Sequence, residues 1–321
     1  MMEKAFVSTQ AASLEAFVTF KHSLGLKYAT GTFYLYEFDV YCAEHESDGV
    51  SLKEIAKSWI TLRENECPNT QRIRVASIRE FGKYLQSSGR ANGFVIPSKI
   101  CRQQIRPMPH FFINDEIIQF FNVCDTLPSR KENKVRHLVL PMYFRLLYCC
   151  GLRTCEARLL LRKNVNLQAG YIDIIHSKGL KDRRVYLPVD LRSLYLKYDA
   201  VVNDIYPDRA YFFPANANLC YGSSAISQNF RKVWKAAGFR VRARAYDFRH
   251  HFAFATLNRW IEQGTDVHAM LPYLTRYMGH ASLESTFYYL HLVPEFFPTF
   301  SAKTKVLEQL LPEVNNDEEE E

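Results

Sequence analysis

Apolar side chains recur three and four positions apart through the first hundred residues, the spacing of one helical face. Leu14, Phe17, Val18 and Leu24 predict a helix broken at Gly25, and the aromatic-rich residues 33–41 predict a second, buried one. Ser51 and Glu54 form the S-x-x-E pattern in which each side chain caps the other's backbone, so a third helix is expected from there to about Leu62. Asn69 is the expected cap of a fourth, running to about Gln86 with Ile73, Ile78, Phe81 and Leu85 toward a core. Arg72, Arg79 and Lys83 share another face of that helix. Residues 98–109 carry Lys99, Arg102 and Arg106 among prolines and show no period, so 101–109 reads as a basic linker.

Beyond the linker the pattern mixes two periods. A helix is expected over residues 114–124, opened by acids that suit the helix dipole, and a strongly apolar one over 137–150. Residues 171–175 and 184–188 predict two short strands around a turn at Lys178, Gly179 and Leu180. Helices are expected over 224–237 and 247–263, each stopped by a glycine, then before Gly279, around Tyr289, and over 301–311. The fold class is therefore mainly α with a small antiparallel sheet, an α+β arrangement in two domains. A helical domain covers 1–100 and a mixed domain 110–300, with a C-terminal helix and acidic tail over 301–321.

Composition sharpens this picture in one respect. Six of the 34 acidic side chains lie in the last nine residues, so residues 1–312 carry a formal charge of +13 against +7 for the whole chain. A basic body suits a polyanionic partner, because lysine and arginine release counterions condensed on nucleic acid. The eight cysteines lack metal-ligand spacing, and Cys149, Cys150 and Cys155 are expected to be buried thiols in a reducing cytosol. No apolar run is long enough to cross a bilayer and no secretory signal opens the chain, so a cytoplasmic protein with no membrane partner is expected.

Four short contexts carry candidate chemistry. They are Gly151-Leu152-Arg153 followed by Glu156, Tyr246-Asp247-Phe248-Arg249-His250-His251, Gly279-His280, and Tyr289 nine residues after that histidine. Guanidinium groups neutralise and hold phosphate oxygens through a planar fork. A phenol can attack phosphorus and store the bond as a covalent ester. Lys178, in the hairpin turn, is the candidate proton donor to a leaving oxygen, with Lys181 the alternative.

These contexts resemble the tyrosine recombinases, the integrase family of DNA breaking and joining enzymes. The resemblance is strong over about residues 105–300 and one of layout only over 10–100. It implies a SAM-like helical domain that binds core DNA and a catalytic domain, the two closing as a C-shape on the duplex. It implies Arg153 and Arg249 on the scissile phosphate, His280 bonded to that phosphate or to the tyrosine oxygen, and Lys178 as mobile general acid. Tyr289 is implied as nucleophile, with Tyr288 the alternative; neighbours on a helix point about 100° apart, so Tyr288 is expected in the core. Glu156 would orient the site and His250 would buttress Arg249. Tyr246 is a departure, since the family usually has histidine, or sometimes lysine, three residues before its second arginine.

The resemblance also implies partners: double-stranded DNA, a homo- or hetero-tetramer on that DNA, and accessory recombinases, with no cofactor or metal. Arg72, Arg79 and Lys83 would meet the DNA backbone, and Gln228, Arg231 and Lys232 bases or phosphates. The expected function is site-specific recombination through a 3′-phosphotyrosyl intermediate, integrating or excising a mobile element. The alternative is a DNA-binding accessory homologue with weak catalysis. A type IB topoisomerase shares the chemistry, but the short N-terminal helical region and the Gly-His element favour recombination.

Overall fold

The apolar stripes of the first hundred residues close into one core and those of the remainder into others. A computed structural model describes residues 5–45, 49–90, 93–97, 100, 108–175 and 182–290. The chain divides into two compact units, Met1–Pro107 and Met108–Glu321. Lys178, Lys181, nearly all of the basic linker, the helix expected over 301–311 and the acidic tail lie outside the described residues.

The first unit holds α1 (Ala11–Ser23), α2 (Ala29–His45), α3 (Leu52–Trp59) and α4 (Pro68–Ser87). Ser51 and Glu54 form the expected reciprocal cap of α3. Leu14, Phe17, Leu35, Phe38, Trp59, Ile78, Phe81 and Leu85 fill the core. The sequence pattern errs on α4, where Ile73 is half-exposed and Arg74 takes the inner face with no exposed surface. Arg74 is tolerated there because its guanidinium donates to Glu66 at 2.9 and 2.6 Å and to the carbonyls of Trp59 and Thr61. A buried charge needs that full set of partners. Leu24, also expected inward, is exposed.

The second unit begins with α5 (Asn114–Asp125) and α6 (Arg136–Cys150), the latter burying Val139, Leu140, Tyr143, Phe144, Leu146 and Leu147 completely. A short α7 (Thr154–Arg158) follows, then β1 (Val165–Asn166), β2 (Tyr171–Ile174) and β3 (Arg183–Tyr186) in one antiparallel sheet of order β1-β2-β3. Ile174 pairs with Arg183 in the last rung before the β2–β3 connection, the stretch of sequence to which Lys178 belongs. Next come α8 (Val189–Ile205), a small hairpin of β4 (Pro214–Asn216) and β5 (Leu219–Cys220), and α9 (Ser223–Ala236). The chain closes the site with α10 (Asp247–Glu262), α11 (Val267–Met278) and α12 (Glu284–Leu290). Cys155, expected to be buried, is exposed.

Candidate active site

Two helix ends build the centre of the site. Gly151 ends α6 and Gly279 ends α11, both in the left-handed conformation (φ +60° and +63°) that glycine adopts without a Cβ clash. A Cβ on Gly151 would lie 2.4 Å from the Phe252 ring, and one on Gly279 would lie 2.9 Å from Arg183 Nη1. Helix ends leave carbonyls unpaired, and here arginines take them. Arg249 Nη1 donates to Gly151 O at 2.8 Å and its Nη2 to Met278 O at 2.5 Å. Arg153 Nη2 donates to Gly279 O at 2.5 Å. The two arginines, 96 positions apart in sequence, thus converge on the single turn that presents His280.

Arg249 is almost wholly buried, and its Nε finds no hydrogen-bond partner among the described residues. Burial first, then the neighbouring charge of Arg153, lower its pKa from the ordinary guanidinium value. Arg153 is braced by Glu156, whose carboxylate accepts from Arg153 Nη1 at 2.6 Å and from the Arg153 backbone N–H at 3.0 Å.

The same carboxylate receives a second arginine that sequence reasoning did not single out. Arg183 donates to both Glu156 oxygens (3.0 and 2.8 Å) and through Nε to Tyr277 O at 2.7 Å, tying β3 to α7 and to the end of α11. Strand alternation carried the signal: Arg183 shares the inward face with buried Val185, while Arg184 points outward to Asp173. Burial alone would raise the Glu156 pKa, but hydrogen bonds and charge from Arg183, followed by Arg153, win and hold it at about 2.

Tyr289 and Tyr288 reverse the expected roles of exposure. Tyr289 is the buried one, at 3% exposure, seated among Ala253, Leu257, Leu271 and Met278, and Tyr288 is half-buried. Burial pushes the Tyr289 phenol well above its ordinary pKa, with Arg249 and Arg153 opposing only in part. Its hydroxyl lies 3.0 Å from His250 Nδ1. His250 was expected to buttress Arg249; Arg249 instead rests on backbone carbonyls, and His250 reaches the tyrosine.

His280 lies with its ring parallel to that of Tyr289 (centroids 6.2 Å apart, 13° between planes), and its Nδ1 is 2.8 Å from Thr286 Oγ1. Thr286 in turn pairs with Thr275 at 2.8 Å. Both His250 and His280 are pushed down to about 4, by burial first. For His280 the positive charges of Arg249, Arg153 and Arg183 add to burial; for His250, Asp247 opposes it. Tyr246, at the N-cap of α10, sets its ring edge-on to His250 at 5.1 Å and remains 39% exposed.

Beside Tyr246 opens a cleft lined by Thr154, Arg158, Ser227, Arg231, Arg242 and Arg244. Arg231 was anticipated, and the exposed Gln228 and Lys232 share its helix. Arg158, Arg242 and Arg244 were not. The alternation of Arg242 and Arg244 with buried Ala243 and Ala245 is an extended pattern that sets the arginines on one side. In the first unit Arg72 and Lys83 are exposed, whereas Arg79 is committed to the carbonyls of Ile96 (3.0 Å) and Pro97 (2.9 Å). Among the described residues no group of three or more His, Cys, Asp or Glu is placed to hold a metal ion, and no helix is long and apolar enough to cross a membrane.

Comparison with known proteins bears on the family and the fold. The phage integrase family matches residues 110–295. Over 291 residues the chain is 25% identical to the "Putative integrase/recombinase y4rE" of Sinorhizobium fredii (strain NBRC 101917 / NGR234), across 89% of this chain and 93% of that protein. Among solved structures it is similar to the XerH site-specific recombinase bound to palindromic difH substrate (TM-score 0.61, 18% identity, 85% of this chain and 78% of that one). It is also similar to the Tn1549 transposon integrase in complex with circular intermediate DNA (TM-score 0.58, 16% identity, 86% and 94%). At these identities the two structures speak for the fold, which is the mainly helical α+β arrangement expected from the sequence. The family match spans more than half of the chain and takes in Arg153, Arg249, His280 and Tyr289, so this protein belongs to the phage integrase family of tyrosine recombinases.

Proposed function

We propose that this protein cuts and rejoins duplex DNA at specific sites through a 3′-phosphotyrosyl link to Tyr289, and that it integrates or excises a mobile element. The observation that carries the reading is the convergence of Arg153 and Arg249 on the Met278–Gly279 turn, beside His280 and Tyr289. Arg153 and Arg249 take the non-bridging oxygens of the scissile phosphate and meet the charge that builds as phosphorus becomes five-coordinate. The Tyr289 oxygen bonds to phosphorus as the bond to the 5′-oxygen breaks, and Lys178 supplies the proton that this oxygen takes. His280, held by Thr286, donates a hydrogen bond to the phosphate. The ester keeps the energy of the broken bond, so a 5′-hydroxyl from another strand can reverse the step and complete an exchange.

DNA enters along the cleft of Arg158, Arg231, Arg242 and Arg244, with Gln228 and Lys232 beside it and Arg72 and Lys83 of the first unit on the backbone. The acting form is a tetramer on DNA, homomeric or shared with accessory recombinases. A second reading, an accessory homologue with weak catalysis, is favoured by Tyr246 at the position of the usual histidine and by the burial of Tyr289.

The two readings part in a strand-exchange assay. A plasmid carrying two copies of the DNA that flanks the gene should give recombinant circles with wild-type protein. Arg249→Ala should form them about 10²–10³-fold more slowly while still binding, the cost of losing one such donor. Binding without products from wild-type protein would favour the accessory reading.

A further inference from the structure

We propose that His250 is the proton acceptor for Tyr289. As the tyrosine oxygen bonds to phosphorus and the bond to the 5′-oxygen breaks, the phenolic proton passes to His250 Nδ1; on rejoining it returns the same way. The inference rests on Tyr289 being the nucleophile, and adds a residue that neither the four sequence contexts nor the usual histidine position assigns to proton transfer.

Geometry comes first. His250 Nδ1 stands 3.0 Å from the Tyr289 hydroxyl, within the reach a general base needs. Among the described residues no other imidazole is so placed: His280 turns its Nδ1 to Thr286 and lies parallel to the Tyr289 ring. Tyr246, where the family usually has histidine, contacts His250 edge-on. Positions 246 and 250 are one turn apart and share a face of α10. The basic nitrogen has in effect moved one turn along the helix, with the phenol behind it.

Protonation state agrees. An imidazole can accept a proton only while neutral, with its hydrogen on Nε2. Burial keeps His250 neutral at physiological pH, pushing it down to about 4, and keeps Tyr289 protonated until it reacts. Among the described residues, the groups facing the pair are Tyr246, Asp247, Arg244, Arg249, Arg153, Tyr288 and His280. Of these, Asp247 favours the imidazolium that forms, while Arg244 and Arg249 oppose it. Separated charges are costly in so buried a place, so the transfer accompanies attack and no free phenolate precedes it.

The test uses full-length protein on a nicked suicide substrate whose scissile link has sulfur in place of the 5′-bridging oxygen. A thiolate leaves without a proton, which removes Lys178 from the rate. Covalent adduct is followed in single turnover for wild type, His250→Ala, His250→Gln and Tyr289→Phe, with DNA binding measured alongside. Glutamine can accept the tyrosine's hydrogen bond but cannot take its proton. We expect both His250 variants to bind DNA and to form adduct about 10²-fold or more slowly, with added imidazole raising the rate of the alanine variant alone. A glutamine variant at the wild-type rate, with Tyr289→Phe inert, would overturn the proposal and leave the nucleophile standing. Adduct from Tyr289→Phe would overturn both.

Discussion

Glu156 holds two guanidinium groups at once, and its removal leaves Arg153 and Arg183 facing each other out of water. Breaking a buried ion pair from one side costs about 3–5 kcal/mol. Glu156→Ala should therefore shift urea unfolding of the protein by that order and abolish cleavage; unchanged unfolding would mean the carboxylate is not needed to hold the arginines. The two imidazoles give a second prediction. Unfolded, His250 and His280 take a proton at about 6.5, and folded only at about 4. Between these values the unfolded chain binds more protons, so stability rises with pH there. It is fully present above about 6.5 and is lost as pH falls toward 4. Tm should be flat above that window and drop within it, and the drop should shrink when both histidines are replaced by glutamine. An equal drop in that double variant would contradict the assignment. Arg153, Arg249, His280 and Tyr289 stand out in the sequence because each sits in a distinctive local context, whereas Arg183, on a short strand, does not. Which atom holds which was not legible, since the decisive bonds span 29 to 126 positions.

Helix ends are where elements become function. Gly279 supplies a left-handed cap, a carbonyl for Arg153, and the absence of a Cβ that Arg183 would strike. Gly279→Ala should cost about 1–2 kcal/mol in backbone conformation and depress cleavage well beyond that, because Arg153 and Arg183 must shift. Normal cleavage by a protein of lowered Tm would show the cap to be structural only. At this scale most elements were legible. The apolar run ending at Gly151, the glycine stops after α9 and α10, and the period-two strands fall within a residue or two of their observed bounds. The exceptions have physical causes. α8 repeats Leu191, Tyr195, Tyr198 and Val202 at helical spacing, but two of these four are tyrosines, whose hydroxyls dilute the apolar signal. α7 is five residues long, too short for any period to register. The burial of Tyr289 rather than Tyr288 depends on how α12 meets α10 and α11, which no local pattern encodes.

At the scale of the whole molecule, charge is the property on which the proposed DNA recognition rests. The +13 of residues 1–312 is legible from composition, whereas the gathering of Arg158, Arg231, Arg242 and Arg244 along one cleft appears only once α7, α9 and the segment before α10 are packed. Each arginine that meets a phosphate should contribute about 1 to the slope of log affinity against log salt. Arg231→Ala and Arg242→Ala should each flatten that slope by about 1 on any DNA sequence; an unchanged slope would place DNA elsewhere.

Attack by the Tyr289 oxygen on the DNA phosphate is tested most directly by trapping the covalent bond it would form. A nicked suicide substrate made from DNA flanking the gene should yield a denaturation-resistant adduct with wild-type protein and with Tyr288→Phe, but none with Tyr289→Phe. Loss only with Tyr288→Phe would contradict the account and move the nucleophile by one residue.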